Sequence, residues 1–553
     1  MDVSKLPYHH PTAWDTKFEP ETLPQMFAKA VARRGAKPLA FFMGRSFSYD
    51  DLHTEALRFA NGLVARGIGK GDRVGLFLPN VPAYVSAYYG AMMAGATVVN
   101  FSPLYSVDEL AHQVADSGTR LLVTLDAPAL LPTALEVLDA SSLEQLAVTR
   151  LSDQLPTLKS FAFRLFKRSQ IAAIPQRGDV AIWDDWLAGD TDGDLPAIDT
   201  QDVALLQYTG GTTGRPKGAM LTHANLSVNA QQVAAINSFE SPENDVIMGA
   251  LPMFHVFANT AVLNHAVVTG AAIAMVPRFD TEDVLKTIAR TGPTGFPGVP
   301  TMFQAMVDHP LLRQTDLSSL KVCISGGAPL AAPLREKWEE LTGVRLVEGY
   351  GLTESSGVVS ANPYQGVRKP GSIGQLVART EIILLDKENP EKLAPEGEPG
   401  ELAIHGPQIM RGYWNMPEAS AEVFVQRDGK QWLRTGDVAQ LDEDGFLTIV
   451  DRIKDMIAVG GFKVFPSQVE AVLVEHPAIK EALVIGVPDD YLGETPRAYV
   501  TLNEPAESSG LAEWANARLG KHERVSDVVV REELPKTIIG KLDRKALRAE
   551  VLT

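Results

Sequence analysis

Residues 74–107 carry no charged side chain, so this stretch belongs either inside a fold or inside a bilayer. It is long enough for a membrane span, but Pro79, Asn80, Pro82, Gly90, Gly95, Asn100 and Pro103 cut it into pieces. Those pieces read as strand, helix, strand: Gly71-Asp-Arg-Val-Gly-Leu-Phe-Leu-Pro79, a helix over 84–94, and Thr97-Val-Val-Asn-Phe101. Together they predict a βαβ unit. The turn before it, Gly67-Ile-Gly-Lys-Gly-Asp72, lacks the third glycine of a dinucleotide fingerprint and precedes the strand, so it reads as a surface turn.

The alternation continues down the chain. Residues 246–251, 271–276 and 322–325 have the texture of strands, and 281–290 and 333–341 that of helices. The expected class is α/β, a large N-terminal domain of doubly wound subdomains over residues 1–451. From about 371 to 451, short strands and Gly/Pro turns predict a small β-rich subdomain. After it, helices near 468–475 and 511–519 and strands at 482–487, 498–502 and 528–530 predict an α+β C-terminal domain over 457–553. The 553 residues suffice for several such units, at roughly 150 residues each.

A formal charge of −17 argues against a nucleic-acid partner, which needs a basic face. Cys323 is the single cysteine, which excludes an internal disulfide and a cysteine metal cluster, and its apolar setting predicts a buried thiol. The N-terminus lacks the basic and apolar blocks of a signal peptide, so a cytoplasmic location is expected. One segment departs from the acidic background: residues 158–174 hold Lys159, Arg164, Lys167 and Arg168 among three phenylalanines, with no acid. It predicts either peripheral contact with an anionic membrane surface, on the inner face of the cell membrane, or a helix packed on its own domain with a solvated basic edge.

Chemistry is concentrated in a few loops. Tyr208-Thr-Gly-Gly-Thr-Thr-Gly-Arg-Pro-Lys-Gly-Ala-Met-Leu221 follows an apolar strand. Gly210, Gly211 and Gly214 let backbone N–H groups turn inward, and Thr209, Thr212, Thr213 and Lys217 add hydroxyls and a cation. The loop reads as a phosphate cradle, without the Gly-Lys-Ser/Thr ending of a Walker loop. Val347-Glu-Gly-Tyr-Gly-Leu-Thr-Glu354 offers Tyr350 to stack on a base, Thr353 to bind phosphate and Glu354 to hold Mg²⁺. Asp437, in Leu433-Arg-Thr-Gly-Asp437, suits vicinal ribose hydroxyls. Pro535-Lys-Thr-Ile-Ile-Gly-Lys541 presents a lysine on a glycine hinge.

In this order, with Leu251-Pro-Met-Phe-His255, Ser325-Gly-Gly-Ala-Pro-Leu330, Gly412-Tyr-Trp414, Asp451-Arg-Ile-Lys-Asp455 and Gly460-Gly-Phe-Lys463, the motifs resemble the adenylate-forming superfamily over nearly the whole chain. Flanking text such as Asn100-Phe-Ser-Pro-Leu-Tyr105 is most similar to bacterial long-chain fatty acid CoA ligases. The resemblance implies a fatty acid, ATP with Mg²⁺, and coenzyme A as substrates, and a two-step reaction through acyl-AMP. It further implies that Thr209, Gly210, Gly211, Thr212, Thr213, Gly214 and Lys217 hold phosphates and that Gly327, Ala328 and Tyr350 frame adenine. Thr353 would contact the α-phosphate, Glu354 the metal, Asp437 and Arg452 the ribose, and His255 the carboxylate end. Lys454 would be the hinge, within 452–456, for a mobile C-terminal domain. Gly460 and Gly461 would edge the CoA tunnel, and Lys541 would bridge carboxylate and α-phosphate.

Two departures weaken the substrate assignment more than the reaction. His522-Glu-Arg-Val525 replaces the family's Tyr-Lys-x-Pro, and Asp428-Gly-Lys-Gln-Trp432 stretches its Asp-Gly-Trp. An aryl- or dicarboxylate-CoA ligase, a fatty acyl-AMP ligase loading a carrier protein, and a catalytically silent acyl-AMP or lipid-binding protein stay open, as does a homodimer. His255 stands where an amino-acid-activating domain would carry an Asp.

Overall fold

The computed structural model describes residues 5–187, 191–209, 216–387, 389–460, 462–489, 491–537 and 540–552. The uncharged run folds as the strand Arg73–Phe77, the helix Pro82–Met93 and the strand Thr97–Asn100. Every residue of that helix is buried, which explains why no face of it is polar. Its ring hydroxyls find partners across the core: Tyr84 donates to Asn100 Oδ1 at 2.8 Å and Tyr88 to Asn259 Oδ1 at 2.9 Å. Tyr89 donates to Asn264 Oδ1 at 2.8 Å. Satisfied in this way, three tyrosines can be buried without leaving orphaned hydroxyls.

This unit lies in a seven-stranded sheet, ordered Val180–Ile182, Gln145–Thr149, Leu121–Leu125, Arg73–Phe77, Thr97–Asn100, Val203–Thr209, Lys217–Thr222. Its strands are parallel except for the last pair. A second, nine-stranded sheet has a parallel centre running Leu346–Tyr350, Val322–Ser325, Gly295–Gly298, Val246–Gly249, Ala272–Met275, Pro38–Phe42. Cys323 is buried on the inner strand Val322–Ser325, and burial pushes its thiol pKa up, so it packs as a small hydrophobe.

The β-rich region is a five-stranded sheet built on Glu381–Leu385, Gly400–His405, Phe424–Arg427, Lys430–Leu441 and Leu447–Arg452. The strand Gln375–Leu376, expected in that region, instead extends the edge of the nine-stranded sheet by pairing with Ser360–Ala361. The stretched Asp-Gly-Lys-Gln-Trp segment is a hairpin: Arg427 faces Lys430, with Asp428 at φ 53° and Gly429 at φ 74°. Two left-handed residues are what a tight primed turn requires. The C-terminal region has its own sheet, in which Gly493–Leu502 pairs with Ile479–Asp489 and with Val528–Val530. The helices Pro466–Val474, Ser508–Asn516 and Arg544–Leu552 accompany it. Among the described residues no helix is long and apolar enough to cross a membrane.

Candidate active site

Open α/β sheets bind ligands beyond the carboxyl ends of their parallel strands, and the sequence motifs converge there. Four adjacent strands of the nine-stranded sheet deliver them. Val246–Gly249 leads to His255, Gly295–Gly298 to Thr301, Val322–Ser325 to Gly327 and Ala328, and Leu346–Tyr350 to Thr353 and Glu354. From the other sheet, the strands Val203–Thr209 and Lys217–Thr222 bring Thr209 and Lys217 opposite each other as register partners. All of these residues line one cleft, together with Asp437, Arg452, Lys454 and Lys541. Gly210, Gly211, Thr212, Thr213, Gly214 and Gly461 lie outside the described residues. Gly460 does not line the cleft; it turns the C-terminal hairpin at φ 55°.

The pair expected on the ribose side is set by strand register. Asp437 and Arg452 are direct cross-strand partners, and the Arg452 guanidinium meets the buried Asp437 carboxylate at 2.9 Å. The Tyr350 hydroxyl donates to the other oxygen of Asp437. Asp437 holds the Arg452 pKa above its ordinary value, and burial raises that of Tyr350, so an arginine cation and a neutral phenol face the cleft. Glu354 is anchored by the Tyr413 hydroxyl, 2.7 Å from Oε1, and the Lys217 ammonium sits 5.0 Å over the Tyr413 ring. Tyr413 thus ties the metal and phosphate candidates together. The Gly412-Tyr-Trp414 motif marked it without giving it a role.

Among the described residues no group of three or more metal-ligating side chains occurs. A lone Glu354 carboxylate nevertheless suits Mg²⁺, which is commonly held by one or two carboxylates plus the phosphates of its nucleotide.

Lys541 enters from the C-terminal region. Its loop is closed by Thr537 N–H donating to Lys541 O at 2.7 Å and by Lys541 N–H donating to Thr537 Oγ1 at 3.2 Å. The lysine packs so closely on the backbone at Gly327 that a Cβ added there would lie 2.7 Å from Lys541 Cε. Gly327 also has φ 81°, so both space and backbone demand glycine. Burial, reinforced by Arg452 and opposed by Asp437, lowers the Lys541 pKa to about 8. An ion pair between Lys480 and Asp308, 2.8 Å, further holds the C-terminal region on the N-terminal body.

His255 accepts a 3.4 Å hydrogen bond at Nδ1 from the Phe257 N–H, which leaves the proton on Nε2. Burial, then Lys541, lowers its pKa to about 3, so the ring is neutral. Glu348 also lines the cleft and accepts from Leu330 N–H at 3.2 Å; burial raises its pKa to about 8. It lies within the Val347–Glu354 motif but carried no individual reading.

Beyond His255 the cleft continues along the sheet face between Val233 and Ile236 of the helical side and Ile324, Val322 and Gly295 of the strands. A Cβ at Gly295 would meet nothing within 4 Å, so that glycine faces open space. At the far end, where the same strands begin, stand Asp245, Thr294 and Lys321. Lys321 to Gly326 spans about 17 Å at strand rise.

Comparisons with known proteins agree with this arrangement. The family model for "AMP-binding enzyme" matches residues 27–414, and that for "AMP-binding enzyme C-terminal domain" matches 468–541. A protein of Bacillus subtilis named long-chain-fatty-acid–CoA ligase is 40% identical over 96% of this chain and 94% of its own length. One of the same name from Escherichia coli is 37% identical over 98% and 97%. The structure of an anthranilate CoA ligase in complex with anthranoyl-AMP superposes with a TM-score of 0.85 at 28% identity, covering 100% of this chain and 99% of that one. Two family models in tandem, a cleft at the strand ends and a lysine delivered from the C-terminal region place this chain in the AMP-binding enzyme family.

Proposed function

We propose that this protein is an AMP-forming acid–thiol ligase that activates a medium- to long-chain fatty acid with ATP and transfers it to coenzyme A. The observation that carries the chain-length reading is the apolar channel running from His255 along the strands Gly295–Gly298 and Val322–Ser325. It is supported by the names of the relatives matched over nearly their full length. In the first step a carboxylate oxygen attacks the α-phosphorus of ATP, the bond to pyrophosphate breaks, and acyl-AMP forms. In the second the CoA sulfur attacks the acyl carbon, AMP leaves and the thiol proton is released.

The residue roles follow the charge that develops. Lys541 donates between carboxylate and α-phosphate, where a positioned cation in a dry site is most effective. Neutral His255 offers its Nε2–H toward the carboxylate, and Thr353 toward the α-phosphate. Thr209, Lys217 and the 210–214 loop hold the outer phosphates; Tyr350, Gly327 and Ala328 frame adenine; Asp437 and Arg452 hold the ribose. Glu354 would hold Mg²⁺, which on binding would supply charge neutralisation at the phosphates. Residues 1–451 form the body, 452–456 with Lys454 the hinge, and 457–553 a domain that rotates between steps to bring Gly460 and Gly461 to the CoA tunnel.

A carboxylic-acid panel assayed for pyrophosphate and AMP release, with and without CoA, tests the reading. Dodecanoate should exceed benzoate, coumarate and short dicarboxylates in kcat/KM, and AMP release should require CoA. The reverse order supports the aryl or dicarboxylate alternative, and turnover only with a carrier protein supports an acyl-AMP ligase.

A second reading concerns location. The helix Thr157–Phe166 has no buried residue, and Leu158, Phe161 and Phe166 are 87, 70 and 77% exposed. Lys167 and Arg168 follow it. Exposed rings beside cations on an otherwise acidic protein suit the headgroup layer of an anionic membrane.

A further inference from the structure

The far end of the acyl channel is not apolar. Where the parallel strands begin, the Lys321 ammonium pairs with Asp245 Oδ1 at 2.8 Å, and Asn237 Nδ2 donates to Asp245 Oδ2 at 3.2 Å. Phe239 lies against the ammonium, 5.5 Å from ring centroid to Nζ. Asp245 is only 10% exposed at its side chain and Lys321 35%. The pair lines the same cavity as His255, and Lys321 stands about 17 Å from Gly326 along its strand. Between them the wall is Val233, Ile236, Ile324, Val322 and the open face of Gly295.

An acid held with its carboxylate at His255 and Lys541 points its other end at this pair. A methyl terminus reaching it would shield two charges from water and return no hydrogen bond. A second carboxylate would be attracted by Lys321 but repelled by Asp245. A hydroxyl matches both, accepting from the ammonium and donating to the carboxylate. We infer that Lys321 and Asp245 form a specificity site for the ω-end of the acyl chain, and that the enzyme takes ω-hydroxy fatty acids of channel-spanning length in preference to their methyl-terminated counterparts. The inference rests on the fatty-acid reading of the same site and names its substrate class more narrowly.

The test compares kcat/KM for ω-hydroxy and unsubstituted straight-chain acids over a series of lengths, using the whole enzyme with ATP and CoA. At the length that spans the channel, the hydroxyl should raise kcat/KM by about tenfold, and at short lengths it should lower it. The double variant Lys321→Met/Asp245→Leu, which removes both charges together so that neither is left unpaired, should erase the preference while short acids are turned over as before. Gly295→Phe, which fills the channel before the pair, should erase it by blocking long acids altogether. A wild-type enzyme with no ω-hydroxyl preference at any length, or a preference that survives both variants, overturns the inference while leaving the fatty-acid reading intact. Failure to activate any straight-chain acid overturns both.

Discussion

At the scale of single residues, the cleft is lined by groups whose pKa values burial and neighbouring charges have moved from their ordinary ones. Glu348 is the clearest case, because no role in the reaction is assigned to it and its effect is therefore on stability. With its pKa raised by burial from the ordinary carboxylate range to about 8, the folded protein binds a proton that the unfolded chain releases above about pH 4.5. Its contribution is fully present below the unfolded pKa and is lost as pH rises through 8. Glu348→Gln keeps an oxygen to accept from Leu330 N–H and removes the titration. The melting temperature of the variant should match wild type near pH 4.5 and exceed it by a few degrees, on the order of 1 kcal/mol, at pH 8.5. An equal offset at both pH values would show that burial of Glu348 is not coupled to its proton. The Lys541 pKa is displaced the other way, downward, which for a lysine likewise favours the neutral form, so the docked arrangement gains as pH climbs from 8 toward 10.5. Anionic phosphates would restore the proton and favour the charged lysine that the proposed first step calls for. These states were not legible in the sequence, since they come from burial against segments distant along the chain, with Arg452 adding to the effect at Lys541.

At the scale of elements, much was legible wherever a local pattern dictates the outcome. The uncharged run reads as strand, helix, strand because Pro79, Pro82, Gly95 and Pro103 sit at the boundaries, although Gly90 lies inside the helix, and the loops rich in glycine and threonine fall at strand ends as the alternation requires. Less was legible where pairing is non-local. The strand Gln375–Leu376 joins the large sheet rather than the β-rich one because Ser360–Ala361 offers it an edge, and the stretched Asp428-Gly segment hid an ordinary hairpin. The basic segment divides in a way that its composition did not reveal. Arg164 pairs with Asp153, and Lys159 donates to the Met43 carbonyl at 2.9 Å, so Lys167 and Arg168 are the cations left for an external surface. Lys167→Glu/Arg168→Glu should weaken sedimentation with anionic vesicles by at least about thirtyfold, at about 1 kcal/mol per cation. Phe161→Ser/Phe166→Ser should weaken binding to neutral and anionic vesicles alike. Unchanged binding in both variants would make the helix a solvated element of its own domain.

At the scale of the whole molecule, the C-terminal region brings Lys541 against Gly327 and pairs Lys480 with Asp308, so under the proposed function the active site is complete only in this docked arrangement. The proposed rotation then predicts that the two half-reactions can be separated. Lys541→Ala should slow acyl-AMP formation by about 10²–10³ yet leave conversion of supplied acyl-AMP and CoA to acyl-CoA near wild type. Lys454→Pro should do the opposite, because fixing φ at the hinge hinders the movement that follows adenylate formation. Measured by single-turnover assays on folded variants, equal loss of both steps in both proteins would exclude alternation between two dockings.

The Lys541 loop, closed on itself by Thr537, has a consequence for the fate of the intermediate. A mixed anhydride of acid and phosphate is a store of chemical potential that water can discharge. Because the lysine is seated against Gly327, the group proposed to promote synthesis would also act as a stopper over the product. In the proposed rotation the stopper would be withdrawn by the same movement that admits the thiol, leaving little interval in which to leak. Uncoupled ATP hydrolysis is therefore the sensitive gauge of how well the two parts of this molecule keep time.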